Sequence, residues 1–283
     1  MSKITEENQA HMAIQGYEGS FHQQAANIFF NKNVSVECCD TFRDLIVAAK
    51  DQKRTDGAVM AIENSIAGSI LPNYKLLQAS NLVIIGEVYL QIHQNLLVNH
   101  GVELEDIKEV HSHTMALQQC YEYLDKHTWK LVESDDTALS ARHIARNKSK
   151  SIAAIASSTA AEIYDLKILA PKIQSLKNNY TRFLILKRPQ DIKTEQIGNK
   201  ASINFQTVHK EGSLARVLGV IAIHGINLSK LQSFPIPGSN FKYQFHVDME
   251  FDSMNKFYGV IEKIKPLTEE IKIYGVYNKG VWK

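Results

Sequence analysis

The polar stretch Lys187–Lys200 (KRPQDIKTEQIGNK) divides this chain into two regimes of hydrophobic patterning, and that division constrains the fold most. It holds Pro189 and Gly198, has no apolar period, and reads as a linker. Before it, short apolar runs alternate with amphipathic segments. Met12–Ile14 leads through Gly16-Tyr17-Glu18-Gly19 into a helical pattern with Phe21, Ala25, Ile28 and Phe29 on one face. Phe42, Leu45, Ile46 and Ala49 mark a second helix, capped by Asp40 or Thr41. Further helices are predicted over Thr114–Leu124, over Asp136–Ala145 with Asp135 or Asp136 as cap, and over Ala160–Tyr164. Strands or extended segments are predicted at Ala58–Ile62, Leu82–Ile85, Val88–Val98, up to Val110, Lys130–Val132, Ser151–Ala156 and Phe183–Leu186. This alternation predicts an α/β architecture with mainly parallel pairing.

After the linker the rhythm changes. Ser202–Val208 alternates as a strand, Ser213–His224 is helical, and Ile226–Leu231 is a strand. Phe241–Phe251 places Phe241, Tyr243, Phe245, Val247 and Met249 on one strand face. Phe257, Ile261, Ile264 and Leu267 share a helix face, and Ile271–Tyr277 closes as a strand. The order βαββαβ is that of a ferredoxin-like unit. The expected organisation is 1–188, a linker over 189–200, and a second domain over 201–283.

Composition narrows the classes of function. Of 283 residues, 44% are hydrophobic and 22% charged, which excludes a disordered chain or a coiled coil. A net charge of +2 is too even for a partner held by bulk charge, so neither nucleic acid nor a membrane surface is expected. The longest nearly apolar run, Val217–Ile226, is broken by Gly219, His224 and Gly225 and is half the roughly 20 residues of a membrane span. The start, Met1–Gln15, is polar and lacks the apolar core of a secretory leader. Three cysteines, Cys38, Cys39 and Cys120, make an odd set with no CxxC spacing. A cytoplasmic protein with reduced thiols is expected, with Cys120 in the core.

Four stretches carry chemistry-bearing side chains. GYEGSFHQQAA (Gly16–Ala26) sets two glycines and Ser20 before a helix, either an anion site at a helix N-terminus or a plain connection with Ser20 as N-cap. IENSIAG (Ile62–Gly68) puts Glu63, Asn64 and Ser65 after a buried strand, where α/β sheets bind ligands or where a turn is capped. SHTMALQQC (Ser112–Cys120) offers Ser112 as a helix cap and Gln119 two turns on, both within reach of one cleft. NNYTRF (Asn178–Phe183) crowds Asn178, Asn179, Thr181 and Arg182 ahead of a strand; Arg182 suits a carboxylate, and a turn before an edge strand is the other reading. His111 and His113 have no third ligand at zinc-like spacing, so no metal is expected.

Taken together and in this order, these motifs with AAIASSTAAEIYDL resemble prephenate dehydratase, and the βαββαβ unit resembles its ACT regulatory domain, over about 11–278. The resemblance implies two catalytic lobes similar to type II periplasmic binding proteins, with chain crossings near 92–98 and 181–185. It implies conversion of prephenate to phenylpyruvate with loss of carbon dioxide and water, for phenylalanine synthesis, without a cofactor. By resemblance Thr181, Ser112, Gln119 and Asn64 are catalytic, while Arg182, Phe183, Ser20, Ser65 and Glu63 bind substrate. Gly212, Ser213, Leu214, Ala215, Asn227, Leu231 and Gln232 would form a phenylalanine site between subunits of a homodimer or homotetramer assembled through ACT and catalytic domains. The chain departs from the family at Tyr17, at Thr114 and Met115, and at Gln232 and Phe234, which stand where the ACT motif has Glu and Arg. The neighbouring readings are an arogenate dehydratase and a non-catalytic amino-acid-sensing binding protein.

Overall fold

The computed structural model describes residues 10–236, 238–239, 242–280 and 282–283; Phe241, the expected start of a strand, lies outside them. In chain order the elements are β1 (His11–Gln15), α1 (Phe21–Phe30), β2 (Ser35–Cys39), α2 (Phe42–Lys50), β3 (Gly57–Asn64), β4 (Gly68–Ser69), α3 (Leu71–Ser80), β5 (Val83–Gln91) and β6 (Asn95–Val98). There follow β7 (Glu109–His113), α4 (Thr114–Gln119), α5 (Tyr121–Leu124), β8 (Lys130–Ser134), α6 (Thr137–Arg146), β9 (Ile152–Ala156), α7 (Ser158–Ile163), β10 (Lys167–Ala170) and β11 (Tyr180–Lys187). The last part holds β12 (Lys200–Gln206), α8 (Ser213–Ile223), β13 (Asn227–Pro235), β14 (Tyr243–Glu250), α9 (Met254–Ile264) and β15 (Glu270–Tyr277). No helix among the described residues is long and apolar enough to cross a membrane.

The residues fall into two units. The first comprises 10–80, 88–185 and 282–283, and the second 81–87 and 186–280. The division runs inside β5 and β11. The polar segment 189–200 packs within the second unit because Gln196 Nε2 donates to the Ile84 carbonyl and Lys200 reaches Glu87.

The first unit is built on two sheets. One has the order β2-β1-β3-β11-β5, with β1 parallel to β2 and β3 and the short β4 antiparallel to β3. The other has the order β10-β6-β9-β7-β8. There β7 is parallel to β8 and β9, but β6 runs antiparallel to both β9 and β10, so pairing is more mixed than strand–helix alternation predicts. The reason is the crossing: the chain enters the second sheet at 92–94 and returns over 171–179. These segments lie side by side, Ile92 N–H donating to Asn179 O at 2.7 Å and Ile173 N–H to Gln94 O at 2.8 Å. Residues 181–185 therefore lie within the first sheet's β11, and the expected crossing there is corrected to 171–179. Helix starts follow local chemistry. Thr41, Asp136 and Ser157 each accept a backbone N–H from the first turn of α2, α6 and α7. β2, α3 and β10, absent from the sequence reading, are short or lack an apolar period.

Two glycines let the first sheet's β1–α1 turn approach the second sheet's helices. Gly16 and Gly19 have φ of +93° and +85°, where a side chain is strained. A Cβ at Gly19 would stand 2.7 Å from Ala160 Cα, and one at Gly16 2.6 Å from Asp136 Oδ2. Ser157 Oγ locks the approach by donating to the Gly19 carbonyl at 2.5 Å.

The second unit has the expected βαββαβ order, folded as an antiparallel sheet β13-β14-β12-β15. Ile203, Phe205, Val247 and Met249 join Val217, Ile221, Phe257 and Ile261 of α8 and α9 in one core. The alternate residues Lys200, Ser202, His246 and Asp248 are also buried, and they are polar. Lys200 Nζ donates to both Glu87 oxygens at 3.0 and 3.1 Å. Ser202 Oγ joins Asp248 Oδ1 at 2.5 Å and Tyr277 OH at 2.6 Å.

Candidate active site

A cleft of about 270 Å³ in the first unit is lined from both sheets. Its walls come from the carboxyl ends of strands and the helices that follow: Gln15, then Ser20 to His22 starting α1; Asn64 ending β3; His113 ending β7; Asp135 to Thr137 starting α6. This is where open α/β sheets bind ligands. The N-termini of α1, α4 and α6 open on it; α4 and α6 are capped by the His113 ring and the Asp136 carboxylate, whereas the Ser20 side chain caps no N–H of α1, whose first turn favours an anion.

Thr181 and Phe183 line the cleft from β11. Asn64 holds Thr181 in place: its Nδ2 donates to Thr181 Oγ1 at 3.0 Å and Asn179 Oδ1 at 2.7 Å, and its Oδ1 accepts from Ile66 and Ala67 N–H. Asn64 thus has its hydrogen-bonding groups engaged by protein. Phe183 is buried and forms apolar wall with Phe42 and Ile92.

Arg182 is not in the cleft. The sequence places it in a turn, but β11 starts at Tyr180 and lies between β3 and β5, so strand alternation sends residue 182 to the face opposite 181 and 183. Its guanidinium lies over the Tyr89 ring, 5.8 Å from the centroid, at 4% exposure. It is corrected from a substrate cation to a group behind the sheet.

Ser112 is also displaced from its expected role. It is fully buried in β7, its hydroxyl donates to Ile155 O at 2.7 Å, and it is absent from the cleft lining. The cap of α4 is His113, whose Nδ1 accepts from Met115 N–H, because β7 runs past Val110 to His113. Gln119 does reach the cleft, where its Oε1 accepts from Gln94 Nε2 at 3.3 Å. Ser65 stitches the turn after β3 to the start of β11, its Oγ accepting from Tyr180 N–H at 2.9 Å, and Glu63 pairs across to Ser69; neither lines the cleft. Ser20 does line it, 3% exposed, with no partner for its hydroxyl. His111 bonds Glu109 while His113 caps a helix, so the two are engaged separately. Cys120 is in the core.

Among the lining residues that the sequence reading does not place in the site are His22, Gln94 and Asp136. His22 Nε2 accepts from Ala61 N–H at 3.3 Å, and its ring meets Phe183 edge-on at 5.0 Å. Burial pulls its pKa down to about 3, so the ring is neutral with its proton on Nδ1. Gln94, on the crossing segment, is brought in by pairing with 173–174, which no local pattern signals. Asp136 was legible only as a cap; burial raises its pKa.

In the second unit, Gly212 caps α8 with φ +72°, Ser213 Oγ accepts from Arg216, Leu214 packs on the core and Ala215 is exposed. Asn227 and Leu231 are exposed on β13, and Gln232 Nε2 donates to Ser233 O. In register Asn227 is level with Glu250 and Lys200, whereas Gly212 follows Gln206. That is the length of β12, about 20 Å at roughly 3.4 Å per residue. One chain alone does not bring Asn227 and Gly212 together.

A ligand cleft between two sheets, walled by strand carboxyl ends and helix N-termini, defines a two-lobed α/β ligand-binding class. The chain belongs to the prephenate dehydratase family, whose model matches residues 12–191. It is 31% identical over 273 residues to a bifunctional chorismate mutase/prephenate dehydratase of Enterobacter agglomerans, covering 95% of this chain and 70% of that protein. It is 35% identical over 288 residues to arogenate dehydratase 2 of Petunia hybrida, covering 96% and 73%. Among solved structures it resembles the prephenate dehydratase of Staphylococcus aureus subsp. aureus Mu50, with TM-score 0.75, 26% identity and coverage of 95% and 100%. It also resembles a protein described as a novel type of quorum quenching acylase, with TM-score 0.84, 29% identity and coverage of 94% and 97%.

Proposed function

We propose that the cleft carries out the decarboxylative dehydration of prephenate to phenylpyruvate. The ring carboxylate leaves as carbon dioxide, its bonding electrons complete the aromatic ring, and the ring hydroxyl departs with a proton as water. Aromatisation drives the reaction, so positioning and hydrogen-bond donation suffice and no cofactor is invoked. The observation that carries this reading is the Thr181–Asn64 pair. With its oxygen held by an amide N–H, the Thr181 hydroxyl is left to donate to the departing oxygen. The N-terminus of α1 receives a carboxylate, and Phe183 with Phe42 supplies a wall that favours dispersal of charge as carbon dioxide forms.

In this reading residues 200–277 are an ACT sensor for L-phenylalanine. Gly212 to Ala215 of one chain and Asn227, Leu231 and Gln232 of a second copy complete the site, in a homodimer or homotetramer acting in the cytoplasm. Calorimetry with millimolar L-phenylalanine tests this; no binding heat removes it.

The decisive assay incubates purified protein with prephenate at neutral pH and follows phenylpyruvate by its ultraviolet absorbance in alkali, against an enzyme-free control. Turnover is expected, and Thr181→Ala should lower kcat by about a hundredfold, the scale of one positioned proton or hydrogen-bond donor. No rate above control overturns the reading. The likeness to an acylase supplies a second reading. An acylase needs an activated nucleophile, yet Thr181 bonds Asn64 and Ser112 bonds a backbone carbonyl, neither pairing with a histidine base.

A further inference from the structure

We propose that His22 binds the substrate, its Nδ1–H donating to the carboxylate that prephenate keeps as it becomes phenylpyruvate. This rests on the dehydratase reading and names a residue that grips the retained end of the substrate.

The geometry leaves one proton of a buried ring to the cleft. His22 is the second residue of α1, is 9% exposed and lines the cleft. Phe42 tilts against its ring at 5.6 Å and Phe183 meets it edge-on at 5.0 Å, which fixes the ring's orientation. Nε2 accepts the Ala61 N–H at 3.3 Å, so the proton sits on Nδ1. Among the described residues no protein acceptor takes that proton. An unmade buried donor is costly, and a ligand acceptor removes the cost.

Two neighbouring features point to an anion at the same helix start. The Ser20 side chain caps no N–H of α1, so the first turn keeps unsatisfied donors and the positive end of the dipole. Ser20 Oγ, 3% exposed, has no partner either. Among the described lining residues there is no lysine or arginine. The lining carboxylates, Asp135 and Asp136, stand at the start of α6 and are not among the contacts of His22. An anion therefore meets neutral donors here: a helix start, a hydroxyl and an imidazole N–H. Burial keeps the imidazole neutral, with its pKa down at about 3, so this donor is the same at any pH near neutrality.

The chemistry of the reaction assigns the grip to one of the two carboxylates. Donors on the carboxylate that leaves would stabilise it before the bond breaks and lose it as carbon dioxide forms. Donors on the carboxylate that stays act alike in the ground and transition states, and so serve binding. Position agrees. Thr181 meets the departing hydroxyl, which lies across the ring from the carbon bearing both carboxylate groups. His22 stands against Phe183, about 7 Å along β11 from Thr181, a separation on the scale of that ring.

The test compares two substitutions in the full chain. In His22→Gln the amide oxygen takes the place of Nε2 and keeps the Ala61 N–H bonded, with no donor where Nδ1 stood. In His22→Asn the amide nitrogen takes the place of Nδ1, and the Ala61 N–H loses its acceptor. Steady-state turnover of prephenate gives kcat and KM, and calorimetry gives the Kd of phenylpyruvate, which carries only the retained carboxylate. His22→Gln should raise KM and that Kd together by about tenfold, the scale of one hydrogen bond to a charged group, with kcat within about twofold. His22→Asn should recover most of both constants yet melt at a lower temperature than His22→Gln. A purely structural histidine gives the reverse order. Unchanged constants in folded His22→Gln, or a fall in kcat with KM unmoved, overturn the proposal while prephenate turnover stands. Should either variant not fold, histidine 15N spectra of the wild-type chain decide. The histidine that stays neutral to the lowest pH is His22, and phenylpyruvate added at pH 7 should shift its protonated nitrogen; no shift overturns the proposal. A wild-type chain without turnover overturns the dehydratase reading and the proposal with it.

Discussion

Buried polar side chains meet different fates in the cleft and on the polar face of the βαββαβ sheet. On the sheet face Lys200 is matched by Glu87, and Ser202 by Asp248 and Tyr277, although Asn204 Nδ2 is unmatched. In the cleft Ser20 Oγ and Gln94 Oε1 are left open. An unmade buried hydrogen bond costs about 1–3 kcal/mol, so a fold tolerates it where a ligand completes it. Under the proposed function, the difference separates polar groups that specify a structure from those that meet a substrate.

Breaking the matched set should have the largest effect. Lys200→Met strands the Glu87 carboxylate in a fully buried site, and urea unfolding should show a loss of about 3–5 kcal/mol. Adding Glu87→Leu should recover most of it. If single and double variants unfold alike, the pair is not what organises that face.

In the cleft, His22 couples stability to pH. Its folded pKa is about 3 against 6.5 when unfolded. The unfolded chain therefore takes up the proton first, and stability is full above about pH 6.5 and falls as pH drops toward 3. The slope is at most about 1.4 kcal/mol per pH unit. His22→Gln keeps an acceptor for Ala61 N–H and should flatten that slope in urea titrations from pH 7 to 5. An unchanged slope would place the acid sensitivity elsewhere.

The smallest effects sharpen the comparison most. Ser157 and Ser20 both precede a helix, but Ser157 Oγ accepts from Ala160 N–H and donates to Gly19 O, while Ser20 Oγ does neither. Ser157→Ala should cost about 1 kcal/mol in thermal unfolding. Ser20→Ala should leave stability within about 0.5 kcal/mol and instead raise KM. Equal stability losses would mean that Ser20 is an ordinary cap.

Much of the fold is legible in the sequence where local chemistry suffices. The apolar runs at Met12–Ile14 and Ala58–Ile62 have few alternatives to a buried strand, and Thr41 and Asp136 announce their helices. The alternation of β14 and the helix face of α9 define the second unit's layers. β2, with Glu37 among its few residues, becomes a strand only because β1 offers parallel pairing. α3 buries Asn73 and Tyr74 in place of an apolar stripe, the Asn73 amide donating to Ala61 O at 2.7 Å.

The sequence by itself determined the two patterning regimes, the βαββαβ order, and the motifs that place Thr181, Phe183, Asn64 and Gln119 near chemistry. Tertiary structure decided which groups face the cleft. Pairing of β11 between β3 and β5 sets a two-residue period that turns Arg182 away, and β7 running on to His113 buries Ser112 against Ile155. The crossing segments bring in Gln94, and the close approach at Gly16 brings in Asp136. Spacing along a chain records what is near in sequence; a strand's register and a glycine's missing Cβ decide what is near in space.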